Sequence, residues 1–276
     1  MNLVVQSPFL GKDHLAELAT RTRPSRITQI SDGAYRLSAA TRVDISSWCE
    51  ERKIDHAWME EGRRFADLKL LAMDMDSTLI TIECIDELGA YAGKKAEIAA
   101  ITEAAMRGEI KDYKESLRRR VSLLKGLDET ALLRVYEERL RLTAGAEFLV
   151  ETCKRNGAKL LLVSGGFTFF TERLKARLNL DYTISNMLEV RGGRLTGELV
   201  GDIVDADAKA SMFLRTMREV GASKAQTVAI GDGANDLKMM AEAGVSVAFR
   251  AKPVVAAQAS CQLRWSGLDA VVRLFE

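Results

Sequence analysis

Histidine is nearly absent from this chain: His14 and His56 are the only two in 276 residues, and both precede the segment that carries the motifs below. A zinc site built on clustered histidines is therefore disfavoured, and so is a serine–histidine–acid triad. Any strong general acid in the main segment is expected to be a carboxyl group. Cysteine is also sparse. Cys49, Cys84, Cys153 and Cys261 are dispersed and form no Cys-x-x-Cys pair, so they read as reduced, mostly buried thiols. Net charge is missing too. With 40 basic and 39 acidic residues there is no electrostatic case for nucleic acid or an anionic membrane as a partner. The triplet Arg118-Arg119-Arg120 is too short to change this and reads mainly as a solvated helix face, with room for one member to turn inward. No apolar run reaches the roughly 18 residues of a membrane span. Met1 to Leu10 has neither a basic n-region nor a cleavage pattern, so a cytoplasmic location is expected.

Against these absences stand two stretches. Asp74-Met75-Asp76-Ser77-Thr78 follows the apolar run Leu70 to Met73, and Gly231-Asp232-Gly233-Ala234-Asn235-Asp236 follows Thr227 to Ile230. Each run reads as a short buried strand that breaks into carboxylates and small residues. Open α/β sheets place their chemistry at such strand ends. Two acidic ends in one chain suggest a shared site for a hard cation and an anionic substrate.

The chain divides into two segments. Residues 1–64 read as strand Asn2 to Val5, helix Lys12 to Ala19, strands Arg26 to Ile30 and Ala34 to Ala39, helix Asp44 to Arg52 and strand Asp55 to Met59. That β-α-β-β-α-β order is a ferredoxin-like α+β unit. Trp48 and Trp58 are expected in its core, the weaker readings being a ligand-binding aromatic and a domain or subunit boundary in a homodimer. Residues 68–276 alternate strands and helices, which implies a mostly parallel, Rossmann-like α/β sheet. Within it, residues 83–142 are almost entirely helix-compatible, as Ile85 to Tyr91, Lys95 to Arg107, Tyr113 to Leu124 and Asp128 to Leu140. Four helices exceed a simple crossover and read as an inserted cap over the strand ends. Further on, Ala158 to Val163 stops at Ser164-Gly165-Gly166 before a helix, Leu188 to Val200 reads as a hairpin, and Val271 to Phe275 as an edge strand.

Asp74 and Asp76, spaced i, i+2 at a strand mouth, can face one cavity. Such a pair either shares a hard cation or splits roles, one carboxylate as nucleophile and one as proton donor. Spacing alone does not say which is which. Ser164, Gly165 and Gly166 can cradle an anion with a hydroxyl and backbone N–H groups, although a plain strand-to-helix turn has the same composition. Lys209 looks like a surface lysine unless a phosphate site lies nearby. Asp232 can complete a cation shell, and Asn235 can bond substrate or backbone. Asp236 is expected to cap the next helix and to orient Lys209. Glu83 and Arg120 are candidates in the insert for reading a zwitterion.

Taken together, these motifs resemble the haloacid-dehalogenase-like superfamily, and within it the phosphoserine phosphatases. Asp74, Asp76 and Thr78 meet its Asp-x-Asp-x-Thr pattern, with Ser164, Lys209, Asp232 and Asp236 following in order from about Leu68 onward. The narrower likeness rests on Glu83, Ile85-Asp86-Glu87 and Ser116 to Leu124 in the insert. The resemblance implies Mg²⁺ on Asp74, Asp76 and Asp232, and an aspartyl-phosphate on Asp74. It also implies Asp76 as acid and then base, and charge stabilisation by Lys209, Ser164 and Gly165. Glu83 would meet the ammonium of phosphoserine, Arg120 its carboxylate, and Met106 would line the pocket. The implied reaction is the last step of serine biosynthesis. Residues 1–64 resemble small amino-acid-binding regulatory modules but have only Gly11 between first strand and helix. Two rivals remain: a related enzyme passing the phosphoryl group to an alcohol such as homoserine, and a regulatory amino-acid-binding protein with a phosphatase-like body.

Overall fold

The computed structural model describes residues 1–105, 109–110 and 112–276, with backbone alone at position 106. The first six elements are β1 (Asn2–Gln6), α1 (Lys12–Thr22), β2 (Arg26–Ser31), β3 (Ala34–Ser38), α2 (Ser46–Glu51) and β4 (Asp55–Met59). β1 lies antiparallel between β3 and β4, with β2 outside β3. Side chains alternate as strand geometry requires. Leu3 and Val5 pack on Leu18, Leu37, Ile45 and Trp48, while Val4 faces the other way with Ala57 and Met59. Trp48 is buried, donating from Nε1 to Glu17 Oε1 at 2.6 Å beneath the Arg52 guanidinium.

The second half begins with β5 (Leu70–Met73). The insert follows, as α3 (Cys84–Tyr91), α4 (Lys95–Met106), α5 (Tyr113–Ser122) and α6 (Thr130–Arg134), the last running into a wide π turn at Val135–Arg139. Asp128, expected at the start of that last helix, accepts from the Thr130 N–H at 3.0 Å. Next come α7 (Ala146–Arg155), β6 (Lys159–Phe167), α8 (Thr168–Leu178), the antiparallel hairpin β7 (Tyr182–Arg191) and β8 (Arg194–Val200), and α9 (Ala206–Glu219). The chain ends with β9 (Thr227–Gly231), α10 (Leu237–Glu242), β10 (Val245–Phe249), α11 (Pro253–Ala256), β11 (Cys261–Leu263) and α12 (Ala270–Arg273). No described helix is long and apolar enough to cross a membrane.

The strand order is β2-β3-β1-β4-β11-β10-β9-β5-β6-β7-β8, one sheet of eleven strands. The two segments are therefore joined edge to edge, β4 pairing antiparallel with β11. Asp55 clamps this seam: its carboxylate accepts from the N–H groups of Arg264, Trp265 and Ser266, at 2.7 Å and 2.8 Å for the first and last. Asp55→Ala should cost about 3 kcal/mol in urea unfolding, because each buried amide left unpaired costs roughly 1–3 kcal/mol. An unchanged midpoint would show that the clamp is idle. Beside it opens a cleft of about 450 Å³ lined by His56, Trp58, Gln262 and Trp265 among others, and by none of the motif residues.

Two expectations are corrected, and two elements come unannounced. Val271 to Phe275 is not an edge strand: Ala270–Arg273 is helical, Asp269 pairs with Arg273 one turn on, and Val271, Leu274 and Phe275 are buried at helical spacing. The amphipathic α7, with Leu149, Val150 and Cys153 buried, and the three-residue β11 were not anticipated. β6 does not end at Val163 but continues to Phe167, with its pairing to β7 interrupted between those residues.

Candidate active site

β9, β5 and β6 run parallel, with Met73 level with Ile230 on one side and Leu162 on the other. The segments after Met73, Val163 and Ile230 therefore emerge together. Sequence order runs β5-β6-β7 one way and β9-β10-β11 the other, so β5 and β9 flank the switch point where open α/β sheets bind ligands.

Asp74 takes the first place after β5, its N–H bonded to Ile230 O at 3.0 Å. Its Oδ1 accepts from Lys209 Nζ at 2.6 Å, and the same ammonium donates to Asp236 Oδ1 at 2.7 Å. Lys209 and Asp236 are fully buried and Asp74 is 5% exposed. Lys209 lies in the first turn of α9, whose start is fixed by Asp205 accepting the Ala208 N–H at 2.9 Å. Burial alone would lower the lysine's pKa; Asp236 and Asp74 outweigh it and raise it, so the side chain stays charged. Lys209 is thus the buried centre of the site and not a surface residue.

Asp236 does not cap α10 with its side chain. Both its oxygens are spent, Oδ1 on Lys209 and Oδ2 on the Gly233 N–H at 3.1 Å. It approaches so closely that a Cβ on Gly231 would sit 2.6 Å from its carboxyl, which is why glycine closes β9. By contrast, Asp74 Oδ2 and the Asp232 carboxylate accept no hydrogen bond from the described residues. Ligand oxygens of Asp74, Asp232 and Asp236 lie within 4.8 Å of one another. Three carboxylates thus face one ammonium. Burial, reinforced by Asp236 and Asp232, holds Asp74 well above the usual carboxylate range, and burial plus Asp236 and Glu83 pushes Asp232 to about 7. This hard, all-oxygen donor set with uncompensated negative charge fits a divalent cation.

Asp76 is not in that trio. Its Oδ1 accepts the Cys84 N–H at 2.9 Å, and its Oδ2 lies 2.5 Å from where a Gly166 Cβ would stand. Burial and the neighbouring Glu83 push it to about 7. The chain turns here through Ser77 in the left-handed region, φ 56°, whose hydroxyl donates to Glu83 Oε1 at 2.6 Å. Non-glycine residues rarely adopt that conformation, and such strain gathers at functional sites. Burial raises the Glu83 carboxyl, opposed by the Ser77 bond. Arg120 is half-buried on α5, and its charge acts on Glu83, Asp86 and Tyr113. The side chain of Met106, expected to line the pocket, lies outside what is described. Ser164 is fully buried, its Oγ accepting the Gly166 N–H at 2.8 Å. Asn235, half-buried, points its amide toward Gly165, 3.8 Å from the Cβ position there.

A family model described as haloacid dehalogenase-like hydrolase matches residues 71–241, which include every one of these groups. The chain belongs to that family. It is 57% identical, over 76% of its length and 91% of the relative's, to a phosphoserine phosphatase of Polaromonas sp.. A solved probable phosphoserine phosphatase from Vibrio cholerae, unliganded, superposes with TM-score 0.84 at 37% identity, covering 99% of this chain and 86% of that one. A phospho-aspartyl intermediate analogue of phosphoserine phosphatase superposes with TM-score 0.71 at 36% identity, covering 76% and 99%. A second model, a domain of unknown function (DUF4072), matches residues 3–45.

Reading the sequence misses four residues at this hydrolase site. Ser77 holds Glu83, and the charge of Lys252 acts on Asp232 and Glu83. Buried Asn186 donates to Gly165 O and accepts from Val204 N, both at 2.8 Å, fixing the glycine peptide. Tyr113 reaches across from the cap to Gly165. Only Ser77 stands in a motif, at a position its pattern leaves open, and no local pattern marks the role of any of the four.

Proposed function

We propose that this protein is a Mg²⁺-dependent phosphoserine phosphatase that releases L-serine and phosphate from O-phospho-L-serine through a phosphoryl ester on Asp74. One observation carries the reading. Asp74 is a buried carboxylate with Oδ1 tied to Lys209 and Oδ2 without a hydrogen bond from any described residue, beside Asp232 and next to the level of Ser164 to Gly166 in β6. A nucleophile oriented by one oxygen and free at the other is what in-line attack on phosphorus requires.

Asp74 Oδ2 bonds to phosphorus as the bond from phosphorus to the serine oxygen breaks, and Asp76 gives its proton to that oxygen. Asp76 then takes a proton from water, whose oxygen attacks the same phosphorus and returns Asp74 as a carboxylate. Lys209, the Ser164 hydroxyl and the Gly165 N–H balance charge on the phosphoryl oxygens. Mg²⁺ held by Asp74 and Asp232 would add Lewis-acid stabilisation of the same charge. Glu83 and Arg120 read the ammonium and carboxylate of the substrate, and the cap keeps bulk water out of the first step. On this reading residues 68–276 are the phosphatase unit, 83–142 its cap and 1–64 an accessory module.

Phosphate release is the test, with L- and D-phosphoserine, phosphothreonine and a sugar phosphate as substrates, with and without chelator. L-phosphoserine should be preferred and chelation should abolish turnover. Undiminished activity after chelation would remove the metal, and preference for the sugar phosphate would remove the substrate.

A further inference from the structure

Tyr113 opens α5, the cap helix that also carries Arg120. Its hydroxyl is the nearest atom to the Cβ position of Gly165, ahead of the Asn235 amide. The residue thus bridges cap and body at the turn assigned to the phosphoryl group. Lys209, Arg120, Asp74 and Asp236 are the charged groups that act on it. Its hydroxyl makes no hydrogen bond with any described residue, and the side chain is half-buried, so the donor is available to a ligand oxygen at that turn. Burial raises its pKa, so the group is a neutral donor.

Its position is also braced. Asp112 accepts the Lys114 N–H at 2.9 Å, and Lys114 Nζ pairs with Asp205 at 3.0 Å. Asp205 caps α9, which carries Lys209. Tyr113 and Lys209 are therefore held in one frame across the cap boundary. Seven residues separate Tyr113 from Arg120, two turns on one helix face and about 10 Å along the axis. One end of that face meets Gly165, and the other carries the guanidinium assigned to the carboxylate.

We propose that the Tyr113 hydroxyl donates a hydrogen bond to a non-bridging phosphoryl oxygen, so that the cap itself supplies part of the phosphate site. The inference rests on the phosphatase reading above. It adds a contact from the cap to the reacting group.

The test uses the full chain with Mg²⁺ and compares wild type with Tyr113→Phe, which keeps the ring and removes the donor. Three quantities are read: the affinity for inorganic phosphate by calorimetry, kcat/KM for L-phosphoserine and for p-nitrophenyl phosphate, and the thermal midpoint. The variant should unfold at the wild-type temperature. It should bind phosphate about tenfold more weakly and lose about tenfold in kcat/KM on both substrates, the lower range for a hydrogen bond to a charged group. Unchanged phosphate affinity, or a loss confined to phosphoserine, overturns the proposal. A wild type that neither binds phosphate nor turns over phosphoserine instead overturns the phosphatase reading. Gly165→Ala gives an independent check. Its methyl would collide with the hydroxyl, while the Tyr113 ring carbon stands off at 3.4 Å. Gly165→Ala should therefore cost clearly less when combined with Tyr113→Phe than in wild type. Equal costs in both backgrounds would place the hydroxyl elsewhere and end the proposal.

Discussion

Asp74→Asn should lose at least about 10⁴-fold in turnover and leave no phosphorylated enzyme, as expected when a nucleophile is removed from a working set. The substitution is nearly isosteric, and the asparagine carbonyl can still accept from Lys209, which now reaches Asp74 Oδ1 at 2.6 Å. The fold should therefore survive, and the loss should lie in the chemical step. Acid quenching during turnover of labelled phosphoserine reads the outcome directly. Wild type should carry the label on Asp74 and the variant should carry none. Label on Ser164 or Asp76 would overturn the assignment of roles.

Lys209→Met should cost about 3–5 kcal/mol of stability without added metal, the usual result of deleting one partner from a buried ionic cluster. Its ammonium is fully buried and bonded to two buried carboxylates. Methionine fills similar volume but leaves Asp74 and Asp236 facing each other with no cation between them. Turnover should fall as well, since the same ammonium is assigned to the phosphoryl oxygens. Mg²⁺ should restore part of the lost stability by binding the folded state alone, but not the turnover. Urea unfolding with and without Mg²⁺ distinguishes the cases. A variant as stable as wild type in the absence of metal would mean that the carboxylates settle by taking up protons, and that the lysine is not needed to hold them.

The division of labour among the carboxylates shows how far local pattern carries. Asp74 and Asp232 were legible because an apolar run that breaks into acid is a signal contained in a few residues. Asp232 and Asp236, four apart in one loop, were given different roles from the sequence, and of those for Asp236 the bond to Lys209 holds while the helix cap does not. Their roles diverge because Lys209 arrives from α9 to claim one oxygen of Asp236, while Gly231 leaves room for that carboxyl beside β9. Lys209 taken alone looked like a surface residue, and only its place in the family's motif order assigned it to the site, since nothing near it in the chain shows that its helix start is buried against two other strand ends.

The same boundary runs through the fold. The β-α-β-β-α-β order of residues 1–64, the alternating body and the helical insert follow from periodicities spanning five to fifteen residues, which the chain carries within itself. So do the acidic loops, the Ser164-Gly165-Gly166 stretch and hence the family. Tertiary structure alone decided that β4 pairs with β11, because a three-residue strand is too short to show a period. It also turned the last apolar segment into a helix, where a short run satisfies both periods and packing chooses. And it set Tyr113 against Gly165 and Asn186 beneath it: single polar residues announce nothing until distant elements bring an unpaired hydroxyl or carbonyl within reach.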